Sequence, residues 1–142
     1  MTQAEPVRSK VIPVLVAALL CDAAVAEPAS GKKSLIGIFD RVWSMAYPMG
    51  RPLTIYWKIA DAEGHYYVQV RVVHAEANEV MGEFKAEIDV PDRLVAYDFF
   101  VEFPPVPIPE PGRYEFQIFM NDTYVGRAVL DAMRLDQVGP KS

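Results

Sequence analysis

The side chains that could carry chemistry in this sequence do not form a known catalytic pattern. The segment GKKS, residues 31–34, contains the Gly, Lys and Ser that also occur in a phosphate-binding loop. That motif requires a glycine five residues before its second glycine, and then Lys followed directly by Ser or Thr. Here Ala26 stands in the first glycine position, and Lys33 intervenes before Ser34. Because the SLIGIF that follows is strand-like and offers no helix N-terminus to a phosphate, we interpret GKKS as a solvated turn.

The acidic residues, the histidines and the single cysteine also favour structural roles. Several acidic residues lie in predicted turns, but they are too widely spaced to supply the ligands of a calcium-binding loop. They are Asp22, Asp40, Asp61, Glu63 and Asp122. His65 and His74 flank one predicted strand at an odd separation, which would put them on opposite faces. Cys21 lies in an apolar run and is expected to be a buried thiol.

No nucleophile elbow of the form G-x-S-x-G occurs in the sequence. We therefore predict a protein that is not an enzyme, with no catalytic residue, no cofactor and no metal site. An enzymatic alternative would have to assemble its site from Asp40, Asp61, His65 and Asp122.

Charge and hydropathy exclude several classes of partner. The net charge is −5, and no run of Lys or Arg exceeds two residues. Nucleic acids and anionic membrane surfaces both require clustered positive charge, so neither is expected as a partner. The longest apolar run, residues 11–20, is too short for a transmembrane segment of about 20 residues.

The elements that would position any site are short β-strands. Apolar and polar residues alternate with a period of two in several segments, as a half-buried strand requires: residues 53–59, 66–74, 80–90, 95–103 and 113–120. Residues 34–43 are interpreted as one strand, and the prolines of residues 104–112 as a stiff extended connector. The pattern predicts a single antiparallel β-sandwich, immunoglobulin-like, with seven or eight strands. Residues 1–10 are predicted to be a polar N-terminal tail, residues 11–135 the sandwich domain, and residues 136–142 a C-terminal tail.

The opening stretch, residues 10–28, permits two interpretations. A charged start, an apolar block and the small residues 24–26 resemble a signal peptide, so that residues 1–26 would be cleaved from an exported protein. Pro13 and the β-branched residues of the block favour a strand instead. We predict a retained strand from Val11 to Val25 that is covered on both faces, in a cytoplasmic protein, with periplasmic or exported location as the alternative.

Three segments resemble a family of small bacterial proteins that is known only as a domain of unknown function. They are ALLCD (residues 18–22), GKKSLIGIFD (31–40) and PEPGRYEFQI (109–118). In such proteins the segment similar to residues 14–22 opens the domain and is kept, so the resemblance implies a structural strand and an intracellular location. It implies no activity.

Outward-facing apolar residues are the main indication of function. The alternation turns four aromatic residues away from the predicted core: Tyr56, Tyr67, Phe100 and Phe119. SLIGIF is apolar on both faces, so Ile36 and Ile38 also need cover. Patches of this kind more often mark an interface than a catalytic site, although burial within the fold would explain them equally well. The predicted core contains Val14, Val16, Leu20, Ile55, Trp57, Val70, Phe84, Phe99, Tyr114, Phe116 and Ile118.

We therefore predict a non-catalytic interaction or assembly module with protein partners. It would either associate with itself or serve as an accessory subunit of a larger bacterial complex. The alternative is a β-sandwich that binds a metal or a small ligand, using the loop acids or a pocket under the proline segment.

Overall fold

The computed structural model describes residues 7–135 of the 142-residue chain. Within that range it contains nine β-strands and no helix, where the sequence pattern predicts seven or eight strands. The strands are β1 (Val14–Ala26), β2 (Lys33–Phe39), β3 (Arg41–Ser44), β4 (Met49–Ala60), β5 (Gly64–His74), β6 (Glu79–Val90), β7 (Tyr97–Ile108), β8 (Gly112–Met120) and β9 (Thr123–Arg134). The prediction of an all-β protein is confirmed.

The strands form two sheets that share one hydrophobic core. The four-stranded sheet has the order β2-β1-β4-β7, and the five-stranded sheet has the order β3-β9-β8-β5-β6. Because β3 follows β2 directly in the chain, these two edge strands lie on the same side of the molecule, which we call the β2–β3 flank. The other two edge strands, β6 and β7, form the opposite β6–β7 flank.

Strand β1 is an interior strand of the four-stranded sheet. Its first half pairs with β4, from Val14 opposite Ala60 to Cys21 opposite Thr54, and its second half pairs with β2. The predicted strand is therefore present, but the prediction that both of its faces are covered is wrong. Val14 and Val16 are more than half exposed, so no layer formed by residues 7–135 covers their face of the sheet.

The single strand predicted over residues 34–43 is instead divided into two strands, β2 and β3. The chain turns at Asp40, so that β2 belongs to one sheet and β3 to the other. Strand β3 pairs with β9 in parallel, with Val42 opposite Ala132. The prediction of a purely antiparallel arrangement is therefore wrong at this one edge.

The proline segment is the end of strand β7 and not a connector. Pro104, Pro105 and Pro107 lie within β7, which pairs only with β4 among the described strands. Proline lacks the N–H of an interior strand but can occupy an edge strand, where that N–H would face solvent. The buried side chains of Val106 and Ile108 hold this segment against the core.

Most of the predicted core is confirmed. Seven of its members are buried: Leu20, Ile55, Trp57, Val70, Tyr114, Phe116 and Ile118. Phe84 and Phe99 are partly buried and pack against this cluster. Val14 and Val16 are exposed, so their assignment to the core is wrong.

Candidate functional site

Exposed aliphatic side chains are concentrated on β1, β2 and the segment that leads into β1. Six of the fourteen exposed large hydrophobic residues of the described chain lie there: Ile12, Val14, Val16, Val25, Ile36 and Ile38. Scattered single residues of this kind are normal on a protein surface, whereas a concentration on one hairpin indicates a contact surface. The remaining eight are distributed over the other strands and loops.

Three of these residues share one face of the β1–β2 hairpin. Ile36 lies opposite Ala23, Ile38 lies opposite Cys21, and Val25 lies opposite Ser34. Directly opposed residues in an antiparallel pair project to the same side, so Val25, Ile36 and Ile38 form one patch. We call this patch the hairpin surface.

The backbone beside the hairpin surface is also unpaired within the described part of the chain. Strand β2 pairs only with β1, and β1 pairs with β2 only from Leu20 onward. Residues 14–19 of β1 therefore have an open edge on the same side. Below that edge lies an open cleft of about 400 Å³ between residues 18–20 of β1 and residues 127–129 of β9.

The other edges carry features that oppose strand pairing. Prolines remove N–H donors from the end of β7. Strand β6 presents a row of charged side chains, including Glu83, Lys85 and Glu87, and β3 is only four residues long. The edge of β2 lacks such protection over residues 34–39, apart from a bend at Gly37, whose φ is +69°.

Tyr56 and Phe100, two of the predicted interface residues, are neighbours on the outer face of the four-stranded sheet. They lie opposite each other on β4 and β7, and both are half-buried. The Tyr56 hydroxyl donates a hydrogen bond to Asp98 Oδ2 at 2.9 Å, and Lys33 Nζ lies 2.7 Å from Asp98 Oδ1. Burial, reinforced by the hydrogen bond to Asp98, raises the pKa of Tyr56 to about 12. Burial alone would raise the pKa of Asp98, but the hydrogen bonds from Lys33 and Tyr56 outweigh it and hold that pKa below its usual value.

The ion pair between Lys33 and Asp98 joins the first and last strands of the sheet order. Since β1 and β4 lie between them, the end of the β1–β2 hairpin must cross the outer face that carries Asp98. By the alternation of side chains along β1 and β4, Cys21 and Thr54 also point to this outer face. Both are buried, although they do not face the core between the sheets. Burial raises the pKa of the Cys21 thiol, as expected for a structural cysteine. The hairpin thus covers part of the face that the sequence pattern leaves open.

Tyr67 and Phe119, the other two predicted aromatics, lie on the five-stranded sheet. Both are half-buried and each is covered by a guanidinium group: Arg8 lies 5.2 Å from the Tyr67 ring, and Arg71 lies 4.7 Å from the Phe119 ring. The surrounding outer face is rich in charged side chains, for example the Arg127–Glu115 pair at 2.7 Å. The six predicted interface residues are therefore distributed over both sheets and do not form one patch.

The histidines lie at different ends of β5. His65 Nδ1 is 2.7 Å from Asp89, and its Nε2 is 3.3 Å from Glu87. The hydrogen bonds that protonated His65 donates to these two carboxylates raise its pKa. His74 is buried, its Nδ1 accepts a hydrogen bond from the Ala77 N–H, and its Nε2 lies 3.0 Å from Glu110 without hydrogen-bond alignment.

The predicted loop acids do not gather into one site. Asp22 pairs with Arg51, and Asp122 pairs with Arg8 at 2.9 Å. Within residues 7–135, no three His, Cys, Asp or Glu side chains are arranged to hold a metal ion.

A second, apolar cleft of about 250 Å³ opens on the β6–β7 flank. Its walls are Val72, Met81, Gly82, Glu83, Phe84, Glu102, Phe103, Pro104, Pro105, Val106 and Pro107. This cleft lies at the proline segment, where the alternative prediction places a small-ligand pocket. The exposed Trp43, which pairs with Met133 at the β2–β3 flank, is a further apolar feature. The sequence pattern does not indicate this feature, because it predicts a single strand over residues 34–43.

The fold and these surfaces define a two-sheet β-domain with an exposed aliphatic edge. No helix in the described range has the length and apolar character needed to cross a membrane. The chain belongs to the Family of unknown function (DUF6941), whose family model matches residues 16–133. The predicted membership of a family without assigned function is confirmed, and it brings no activity with it. No curated protein matches the chain.

Proposed function

We propose that this protein is a non-catalytic assembly module that associates with a second copy of itself through the β2–β3 flank. The observation that carries the proposal is the hairpin surface, in which Ile36 and Ile38 are 56% and 58% exposed on an edge strand. Burying two such side chains against a partner removes a large apolar area from water. An accessory role in a larger complex would use the same surface.

A second copy suits this surface because an uncharged aliphatic patch is complementary to itself. In an isologous dimer the same patch meets its own copy about a twofold axis. Ile36 and Ile38 flank Gly37 symmetrically, so an antiparallel approach about Gly37 brings Ile36 of one chain to Ile38 of the other. Residues 34–39 carry no charged side chain that would oppose this approach.

We also infer that the architecture is an immunoglobulin-like sandwich with one additional strand. The Tyr114 hydroxyl donates a hydrogen bond to the Glu110 carbonyl at 2.7 Å, four residues upstream, as in the tyrosine corner of such domains. Strands β4, β5, β7, β8 and β9 are divided between the two sheets as immunoglobulin strands B, C, E, F and G are, and β6 lies beside β5 as strand C′ lies beside C. Strand β1 is then the addition, inserted between β2 and β4.

A cytoplasmic location agrees with the role of β1. Cleavage after residue 26 would remove an interior strand that contributes Leu20 to the core. This supports retention of the segment over its use as a signal peptide.

The test is the mass in solution of the purified chain and of a double variant, Ile36→Lys with Ile38→Lys. We expect the native chain to have twice the monomer mass by light scattering. The double variant should dissociate with a Kd raised about 100-fold or more, because each lysine would have to be desolvated in the interface. Since both positions are exposed, its melting temperature as a monomer should stay close to that of the native domain.

The matched control is Val80→Lys, at a position 54% exposed on β6 and remote from the hairpin surface. This variant should retain the dimer. A native chain that stays monomeric up to high concentration, or a double variant that dimerises normally, would overturn the proposal.

A further inference from the structure

Gly82 leaves a gap in the inner face of β6 that neither its backbone nor its neighbours require. It lies opposite Val72, whose side chain is buried in the core, so a side chain at residue 82 would also point inward. Its φ is not in the left-handed region, and a Cβ built there would meet no atom within 4 Å. Glycine within a strand is less favourable than alanine, because it loses more conformational freedom on folding. A glycine of this kind often marks the close approach of another group.

Gly82 lines the apolar cleft on the β6–β7 flank, so its gap is part of that cleft. Phe84 and Phe103 lie on its walls with ring centroids 6.3 Å apart, and Met81 and Val106 add further apolar surface. The cleft volume of about 250 Å³ exceeds the roughly 150 Å³ that accommodates benzene in an engineered protein cavity. One aromatic ring system, or an alkyl chain of similar size, therefore fits.

The rim of this cleft is negatively charged. Glu83 and Glu102 both border it. Glu83 forms an ion pair with Lys85, whose Nζ lies 3.5 Å from Glu83 Oε1. Glu102 is exposed and forms no ion pair within residues 7–135. A cationic group at the rim would meet Glu102 and could also lie over a phenylalanine face.

We propose that this cleft binds a small apolar amine, with its ring or chain in the gap at Gly82 and its ammonium group beside Glu102. A free small molecule suits the site better than an extended peptide. Pro104, Pro105 and Pro107 lack the N–H groups with which the β7 edge would pair a peptide strand. The site is independent of the assembly proposed for the β2–β3 flank.

The experiment is a titration of the full chain with tryptamine, followed by the NMR signals of Phe84 and Phe103 and by calorimetry. Indole-3-propionate, which carries the opposite charge on a similar ring, is the matched ligand. We expect tryptamine to shift both phenylalanine signals and to bind about tenfold more tightly than the propionate. Glu102→Gln should reduce this preference about threefold.

Gly82→Leu is the decisive variant, because it fills the cleft from within. It should fold, since residue 82 has open space, and it should lose tryptamine binding. Val80→Leu enlarges an exposed residue of the same strand and should bind as the native chain does. The proposal is wrong if tryptamine leaves the phenylalanine signals unmoved, or if Gly82→Leu binds it normally. Equal affinity for the propionate would overturn the assignment to amines.

Discussion

Replacement of Gly126 by alanine should destabilise the domain, because this glycine makes room for a side chain from the other sheet. Gly126 lies in β9 with a φ of +156°, a conformation essentially confined to glycine. A Cβ at this position would overlap Leu15 Cδ2 and lie 3.4 Å from Leu15 Cγ. Leu15 belongs to β1, so the contact joins the two sheets beside the open edge of β1.

Two costs contribute to the expected loss of stability. The backbone conformation costs about 1–3 kcal/mol for any residue other than glycine. Overpacking against Leu15 costs about 1–3 kcal/mol more. The free energy of unfolding should therefore fall by about 2–6 kcal/mol, which lowers the melting temperature by about 6–18 °C for a chain of this length. Urea unfolding followed by the fluorescence of the buried Trp57 measures the change.

A double-mutant cycle with Leu15→Ala separates the two costs. Leu15→Ala alone should cost about 1–2 kcal/mol, because this side chain is only partly buried. In that background the overlap is absent, so Gly126→Ala should cost only its backbone part, and the coupling should be about 1–3 kcal/mol. If the two effects add to within about 0.5 kcal/mol, the inferred contact between β1 and β9 is refuted.

Two further predictions concern β1 and the histidine at the start of β5. Deletion of residues 11–26 should abolish cooperative unfolding, because it removes an interior strand, and a folded product by circular dichroism and proton NMR would show that this segment is dispensable. The raised pKa of His65 means that its protonated form stabilises the folded state below the unfolded-state pKa of about 6.5, and that this contribution is lost as pH rises through the folded-state value. His65→Gln should therefore lower the melting temperature more at pH 5.5 than at pH 8.5, Asp89→Asn should weaken that pH dependence, and an equal effect at both pH values would contradict the assignment.

Period-two alternation was sufficient to predict the strands with one face in the core. Ile55, Trp57, Val70 and Phe116 are buried where the pattern placed them. In these strands each side chain meets either the core or solvent, so the local sequence records the environment directly.

The pattern was less informative where the environment depends on distant parts of the chain. Val14 and Val16 have the composition of a strand buried on both faces, but within residues 7–135 nothing covers their face of the sheet. Nothing in residues 33–44 indicates that Asp40 separates strands of different sheets. The prolines of β7 are compatible with a strand only because that strand lies at an edge, and edge position is a property of the whole sheet.

The candidate site could be predicted only in part from the sequence, because the exposure of a side chain also depends on distant parts of the chain. Ile36 and Ile38 were selected because SLIGIF is apolar on both faces, and both are exposed. Tyr56 and Phe100 were selected from the same kind of pattern, but the β1–β2 hairpin crosses their face. The cleft at Gly82 exists because this residue has no side chain. A pattern of apolar residues therefore gives no indication of it.

The parallel pairing of β3 with β9 has a consequence for the order in which the domain folds on the ribosome. Strands β1 and β2 can form their hairpin as soon as they emerge, whereas Arg41 of β3 must wait for its partner Asp131, which lies far along the chain in β9. Contacts between such distant residues slow folding. Until β9 is synthesised, the nascent chain would present its aliphatic hairpin beside an unfinished sheet. The interval between emergence of β2 and completion of β9 is therefore when premature association with another nascent chain is most favourable.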